Sequence, residues 1–571
     1  MKNILHSIFI LLFVLSNIGF AQWSSDPAVN NAICTFVWQQ ETPVLCSDGD
    51  NGAIIAWWDH RTDVGDIYAQ RIDKNGYVRW NTNGVAMCTT RYQQSSPKII
   101  SDGKGGAIMV WDDQRTGLYS GNIYAQRVNA DGQVLWATNG VAVKAGVAYT
   151  TQIATDGAGG AIIAWRDDRG GGMDYSDVYA QRVDSSGNIV WTPSTGVGIA
   201  TAAGVQYPSC MVSDDSAGAI IIWTHLRADA TTNLFAQRIN AAGTKRWATA
   251  GIAIANLATS SATPTAQPDK QGGVFVIWND SRGPSGNRKV FGQHLNKSGV
   301  NQWIANGKRL SSEIQDLYYT PNFIVDGSNG LIFSFILSTS YYDEAILAQR
   351  VRDNGTVLWD TLGVPICSRK WKRSPPQMIN DANGGAIMSW HDDRTSDTAS
   401  YPENLNDIYA QRVDTSGNIL WTTNGVPVST ATNGQSFPKI LPIDGGGAIL
   451  TWTDYRGGAN YDIYAQRLNA NGTITDVRTS ASLPDKFEIY QNYPNPFNPS
   501  TTIQFDIPKA SFVTLKVYNV LGQDVMTLVN EDTKIGSYEV EFNASTLASG
   551  IYFYRLEAGS FIETKKLIFM K

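Results

Sequence analysis

The chain has 571 residues, with 45 Lys and Arg against 51 Asp and Glu, a formal charge of −6 at pH 7. A chain this long is expected to hold more than one domain. It has no long Lys/Arg run, so the electrostatic footprint of a nucleic-acid binder is missing and no nucleic-acid partner is expected.

The first 21 residues read as a signal peptide. Lys2 gives a positive start, Ile8 to Val14 is continuously apolar, and Gly19-Phe20-Ala21 offers a small-residue cleavage site, placing the cut between Ala21 and Gln22. No later stretch approaches the roughly 20 apolar residues of a membrane helix, so no transmembrane segment is expected in the mature chain. Five cysteines, Cys34, Cys46, Cys88, Cys210 and Cys367, cannot form a complete disulfide framework. Cys34, Cys88 and Cys367 share one repeat position with Lys144, Ala200, Ala255, Ser311 and Ser429, which reads as small buried filler. A Cys34–Cys46 bridge is the alternative.

From residue 66 one phrase recurs, Asp66-Ile67-Tyr68-Ala69-Gln70-Arg71 in its first copy. Its glutamines stand at 70, 126, 181, 237, 293, 349, 411 and 466, with steps of 55 or 56 and one of 62. Eight copies at a near-constant step define a repeat architecture. In the second copy Pro97 to Ser101 reads as a short strand and 102–106 as a Gly-rich turn. Ala107 to Trp111 is a strand apolar on both faces, Ile123 to Val128 is a third, 129–132 is a second tight turn, and Gln133 to Trp136 opens a fourth that Gly140 to Val143 continues. Four antiparallel strands with two apolar faces must be sandwiched between like neighbours, as the blades of a β-propeller are. The eighth copy lacks its last strand, and 32–35 matches 86–89, so the N-terminal strand is expected to complete the last blade. The expectation is all-β: an eight-bladed propeller over 22–474, a linker over 475–486 and a β-sandwich over 487–571.

Two further features recur in most copies. Fourteen tryptophans fall at two repeat positions, Trp57 and Trp80 in the first copy, and read as inter-blade packing; Trp23, Trp38, Trp58 and Trp371 stand outside the scheme. Trp-x-Asp-x-Arg, as in Asp59/Arg61 and Asp113/Arg115, reads as architecture because six copies carry it. Length varies between the second and third strands and between blades, two connection types that emerge on one face. That face is the expected ligand surface, with Trp38, Tyr92, Tyr149, Tyr207, Tyr319, Trp371 and Phe437 as candidate ligand-binding residues. No metal-ligand spacing, phosphate loop or nucleophile elbow occurs, so no catalytic residue, metal or cofactor is expected.

The order Ala56-Trp57-Trp58-Asp59-His60-Arg61, Asp66-Ile67-Tyr68 and Asp73 to Trp80 resembles sialidase-type propeller repeats. The Asp73…Gly76…Trp80 spacing is wider than that family's Asp box, and no catalytic residue transfers. In the tail, Tyr493-Pro494-Asn495-Pro496-Phe497-Asn498-Pro499, Tyr518-Asn519-Val520-Leu521-Gly522-Gln523, Leu547-Ala548-Ser549-Gly550-Ile551-Tyr552 and the basic end from Lys565 and Lys566 to Lys571 resemble the C-terminal sorting domain, type A, of type IX secretion substrates. That resemblance implies export to the periplasm, then transfer across the outer membrane by the type IX secretion machinery. The product would be released from a Gram-negative cell or attached to surface lipopolysaccharide. The expected function is non-catalytic binding or adhesion, with glycans or surface proteins as partners. The alternatives are a sialidase-like glycoside hydrolase, a polysaccharide lyase or a structural surface protein.

Overall fold

The structure, a computed structural model, describes residues 23–474 and 486–570, apart from 63, 118–120, 171–174, 228–230, 258–263, 283–287, 313–318, 329, 341–342, 369–372, 395–404, 493 and 546. The predicted signal peptide, Ala21–Gln22 junction and linker (but for Lys486) lie outside these residues. The chain divides into two compact units, Ala21–Asp476 and a second containing Val477–Lys571.

The larger unit holds eight four-stranded antiparallel sheets among the described residues. Blade 1 is Gln40–Ser47, Ala53–Asp59, Asp66–Ile72 and Val85–Cys88; blade 2 is Gln94–Ser101, Ala107–Asp113, Asn122–Val128 and Val141–Lys144. Blade 8 is Gln435–Ile443, Gly447–Asp454 and Asp462–Leu468, completed by Asn31–Cys34, which pairs antiparallel with Asp462–Leu468. The first strand of each blade touches the first strand of the next, and that of blade 1 touches that of blade 8, so the eight inner strands close a ring around a channel.

Local chemistry explains each blade. In blade 2, Asp102 Oδ1 accepts from the amides of Lys104 and Gly106, both at 2.8 Å, and shapes the first turn. Gly106 is required there because a Cβ would lie 2.2 Å from the Val128 carbonyl. The inner strand begins at Gln94, earlier than Pro97. Ser96 takes φ +56° in a bulge that shifts register between Ser95 and Lys98, which accommodates a proline without an N–H. Residues 133–136 are not strand but carry one bridge, Val128–Val134. Gln126 holds this segment by a staple instead: its Oε1 accepts from Arg127 and Trp136 amides and its Nε2 donates to the Ala137 carbonyl at 2.7 Å.

The recurring tryptophans pack between blades. Trp57, Trp111, Trp165, Trp278, Trp390 and Trp452 are fully buried. Trp111 Nε1 donates to Asp113 Oδ2 at 2.9 Å, Arg115 pairs with the same carboxylate at 2.7 Å, and the Arg115 guanidinium lies 3.4 Å from the Tyr124 ring centroid. The second set reaches across the junction: Trp80 Nε1 donates to the Ala130 carbonyl of blade 2 at 2.9 Å, and Trp136 to Ser185 of blade 3 at 3.1 Å. Trp23 belongs to this set after all. It is 1 % exposed and donates to the Lys74 carbonyl at 3.0 Å, while Gln466 staples to the Ser24 carbonyl. In blade 6 Phe335 fills the tryptophan position, buried. All five cysteines are free. Cys34, Cys88 and Cys367 are buried with a guanidinium nitrogen 3.3–3.4 Å from each sulfur. Cys34 lies on the outer strand of blade 8 and Cys46 on the inner strand of blade 1, so the alternative bridge does not form.

The second unit is a sandwich of two sheets. One contains Glu488–Ile489, Ser500–Ile507 and Gly536–Asn543; the other runs Asp524–Thr533, Ser511–Tyr518, Gly550–Ala558, Phe561–Phe569 in sheet order. Phe497 is its anchor, buried with ring centroids 5.2 Å from Phe569 and 5.8 Å from Phe542. Asn495 Oδ1 accepts from the Ile568 amide at 2.8 Å, which docks the Pro494 to Phe497 segment, including Pro496, on the last strand. Gly522 takes φ +76° in the turn whose amides Asn519 caps. Gly550 opens a strand, Lys566 is exposed, and Lys565 pairs with Glu563 at 3.0 Å.

Trp23 supplies both burial and the bond that ties blade 8 to blade 1. Trp23→Ala should cost about 3–5 kcal/mol, read as a lower urea midpoint of the intact chain. Trp38→Ala, at an exposed position, should leave that midpoint nearly unchanged.

Candidate binding site at the channel mouth

Backbone bonds bring the two variable connections onto one face. The amide of Gln94, where blade 2 begins, donates to the Gly65 carbonyl in the blade 1 loop between strands two and three, at 2.9 Å; Ala148 to Gly121, Gln206 to Ser176 and Gln435 to Asn406 repeat this. The inner strands start at this face, so it surrounds one mouth of the channel.

Three of the candidate aromatics lie on consecutive blades. Trp38 leads into blade 1 at φ +84° and is 61 % exposed; Tyr92 leads into blade 2 at φ +68° with the Arg91 guanidinium 4.9 Å from its centroid. Gly146, Gly204 and Asn433 occupy the same repeat position in blades 3, 4 and 8, also at positive φ. The backbone there demands the left-handed region, in which a bulky residue is strained. Phe437 stands at φ +56° on the inner strand of blade 8, 64 % exposed. Its amide donates to His391 Nδ1 at 3.1 Å and its ring meets the His391 ring edge-on at 5.5 Å. Burial brings the His391 imidazole down to about 4, against the pull of Asp392, which keeps Nδ1 an acceptor at neutral pH. Tyr149 and Tyr207 are half-buried on the inner strands of blades 3 and 4, and the Tyr319 carbonyl accepts from Asn279 in blade 5. These three tyrosines share one repeat position, the residue after that of Gln94, beside the start of the inner strands. Trp371 lies outside the described residues.

Other residues of this mouth escaped the aromatic search. Between the constant Trp and Asp of each second strand is a position held in turn by Trp58, Asp112, Arg166, Thr224, Asn279, Ile336, His391 and Thr453. Trp58 Nε1, Asp112 Oδ1 and Thr453 Oγ1 are buried atoms with no hydrogen-bond partner among the described residues, and their blades are 1, 2 and 8. The Asp112 carboxyl is pushed up to about 7 by burial, with Lys98 opposing the shift. Lys98 and Lys439, on the inner strands of blades 2 and 8, are both lowered by burial. Across the channel, a cavity of about 520 Å³ is lined by Ser209, Cys210, Thr265, Gln267, Asn322 and Phe323 from blades 4, 5 and 6. Departure from the repeat was the signal that could have found Asp112 and the lysines. Among the described residues no three His, Cys, Asp or Glu side chains cluster to hold a metal ion.

Residues 491–570 match the family of secretion system C-terminal sorting domains. The chain is therefore an exported protein, secreted or held at the cell surface. No curated protein matches it. Among solved structures it is similar to PorZ, a surface component of the type-IX secretion system of Porphyromonas gingivalis, at 10% identity over 95% of this chain and 100% of that one, TM-score 0.21. It is similar to an alpha-L-arabinofuranosidase from Fusarium graminearum at 9% identity over 57% and 94%, TM-score 0.32. A Hadza microbial sialidase gives 11% identity over 57% and 71%, TM-score 0.29. None of these scores bears on what this chain binds.

Folding raises the proton affinity of Asp112. Its stabilising contribution is therefore complete below the unfolded pKa, about 4, and is lost as pH rises through about 7. Asp112→Asn should match the wild type in stability near pH 4 and exceed it near pH 8 by up to about 4 kcal/mol, measured by urea unfolding at both pH values.

Proposed function

We propose that this exported propeller is a non-catalytic binding module whose ligand is a surface or extracellular glycan, held at the channel mouth. The observation that carries the reading is the set of aromatics at positive φ on blades 8, 1 and 2: Phe437 and Trp38, both exposed, and the half-buried Tyr92. The Phe437 and Trp38 rings are held in a strained backbone with most of their surface in solvent, and such strain concentrates at functional sites. A flat apolar ring with polar neighbours suits the apolar face of a sugar, and Tyr and Trp serve this kind of half-wet contact. The sorting domain places the module where extracellular glycans are available. The boundaries proposed for the mature binding part are 22–474, with 487–571 serving export through the type IX machinery. Attachment to lipopolysaccharide after sorting belongs to the same proposal.

Asp112 favours a second reading, a glycoside hydrolase. A carboxyl pushed up to about 7 with an oxygen that has no hydrogen-bond partner among the described residues has the properties of a general acid. Glycosidases of the common type pair that acid with a second carboxylate within about 5–9.5 Å. Among the described residues the only charged group acting on Asp112 is Lys98, which favours binding over hydrolysis.

Glycan arrays probed with the intact chain should yield a defined set of saccharides, with at least a tenfold loss on Trp38→Ala or Phe437→Ala; silence across the arrays would sink the reading. Cleavage of a bound saccharide, abolished by Asp112→Asn, would put the hydrolase in its place. For export, deletion of 484–571 should leave the chain in the periplasm, and normal release of the deletion variant would refute the role given to the tail.

A further inference from the structure

Lys98 and Lys439 hold one repeat position, four residues after Gln94 and Gln435 on the inner strands of blades 2 and 8. The register fixes their height: Lys98 pairs with Val110 and Lys439 with Thr451, each the residue before the blade's constant tryptophan. The inner strand of blade 1, with Val44 at the same height, lies between them and touches both strands. The remaining copies carry the neutral residues Gln152, Cys210, Thr265, Asn322 and Gln377. Three of these side chains hydrogen-bond: Gln152 to the Ser209 carbonyl, Thr265 to the Pro321 carbonyl and Asn322 to the Pro376 carbonyl. Framework at this position therefore needs no charge, and two ammonium groups are a departure from it.

Those charges are not neutralised. Lys98 Nζ donates to Gln152 Oε1 at 3.0 Å, a neutral acceptor, and forms no ion pair among the described residues. Lys439 has neither a hydrogen bond nor an ion pair among them. Among the described residues Asp112 is the only carboxylate whose charge acts on Lys98, none acts on Lys439, and the Lys439 charge opposes that of Lys98. Half-buried cations without an ion-pair partner among the described residues favour an anion arriving from outside, since charge-assisted hydrogen bonds are the strong ones. The roughly 520 Å³ cavity on the facing wall gives a bound group room.

We propose that the channel wall of blades 8, 1 and 2 is an anion-binding site in which Lys98 and Lys439 hold a carboxylate, sulfate or phosphate group of the ligand. The site does not depend on the glycan reading. If that reading is right, the saccharide is an acidic one whose charged group enters the channel while Trp38, Tyr92 and Phe437 meet its rings.

Calorimetric titration of the intact chain at low salt tests both ideas, with inorganic sulfate, an oligogalacturonate and its neutral reduced counterpart as probes. Sulfate and the oligogalacturonate should bind, weaken with added salt, and lose at least tenfold in affinity in Lys439→Met and in Lys98→Met. Lys439→Arg should retain most of it. Asp112→Asn should tighten sulfate several-fold, an effect that a merely structural lysine pair would not show. Lys439 makes no bond that folding needs, so Lys439→Met keeps the test valid should Lys98→Met unfold. Sulfate bound through the lysines with no saccharide recognised would keep the anion site and remove the glycan reading. Neutral saccharide bound equally by wild type and variants, with sulfate bound by none, would do the reverse. Sulfate affinity unchanged in both lysine variants would overturn the proposal.

Discussion

One carbonyl oxygen per blade holds this ring together. It sits in the turn between strands three and four, and it accepts from two donors of the preceding blade, the recurring arginine and the second recurring tryptophan. Ala130 accepts from Arg71 at 3.1 Å and Trp80 at 2.9 Å; Ser185 accepts from Arg127 at 2.8 Å and Trp136 at 3.1 Å. The pattern continues through Ala241, Lys297, Thr415 and Ala470, and Lys74 closes the circle by accepting from Arg467 and Trp23. A carbonyl has two lone pairs, so each oxygen is fully used. The arginine is in turn oriented by the aspartate of its own blade's first turn, as Arg127 is by Asp102 at 2.7 Å. Blades 5 and 8 are the exceptions: His294 replaces the arginine and keeps only the aspartate, Asp269, at 2.9 Å, while in blade 8 Ile443 stands at the aspartate's position and Arg467 Nε has no hydrogen-bond partner among the described residues. A solvent-screened pair on a surface contributes little. These pairs are largely buried and donate to a neighbouring blade, so they set the angle between blades as well as their stability.

This constraint divides the molecule. The turn face is committed to inter-blade bonding, which explains why its loops are short and nearly alike in every copy. The opposite face needs only that each inner strand start against the preceding loop, a requirement met by one amide and one carbonyl. Side chains there are free to change, and the unpartnered atoms of Trp58, Asp112 and Thr453 fall there. The Asp–Arg pairs also lie toward this face, yet they are tied to Trp, Tyr and backbone within each blade and are not available to a ligand.

What was legible in the sequence follows the same division. Strand order, the closing N-terminal strand and the structural role of the tryptophans were readable because a repeated contact leaves a repeated residue. Trp23 was not readable as one of them, since the chain's start separates it by more than 440 residues from Gln466, whose partner segment it belongs to. Strand four was misjudged because a glutamine side chain, rather than a ladder, holds residues 133–136. At the mouth, aromatic type picks out residues from blades 1, 2, 3, 4, 6 and 8 that fall at three different repeat positions. Lys98 and Lys439 were passed over because each looks ordinary in its own strand. Only the neutral residues at the same position in the other copies make them unusual.

The features that break the repeat converge on the seam where the ring closes. Trp38 hangs from a segment whose preceding strand, Asn31–Cys34, completes blade 8 and whose following strand, Gln40–Ser47, begins blade 1. The Gln40 amide also donates to the Tyr461 carbonyl of blade 8 at 2.7 Å. Any opening of the seam would therefore displace Trp38 from Phe437 and Thr453 on the other side of it. By linkage, a ligand that spans blades 8, 1 and 2 binds only the closed ring and must stabilise it by its own binding free energy. On the proposed reading, closure and recognition are one equilibrium: the contact that completes the fold also completes the proposed site.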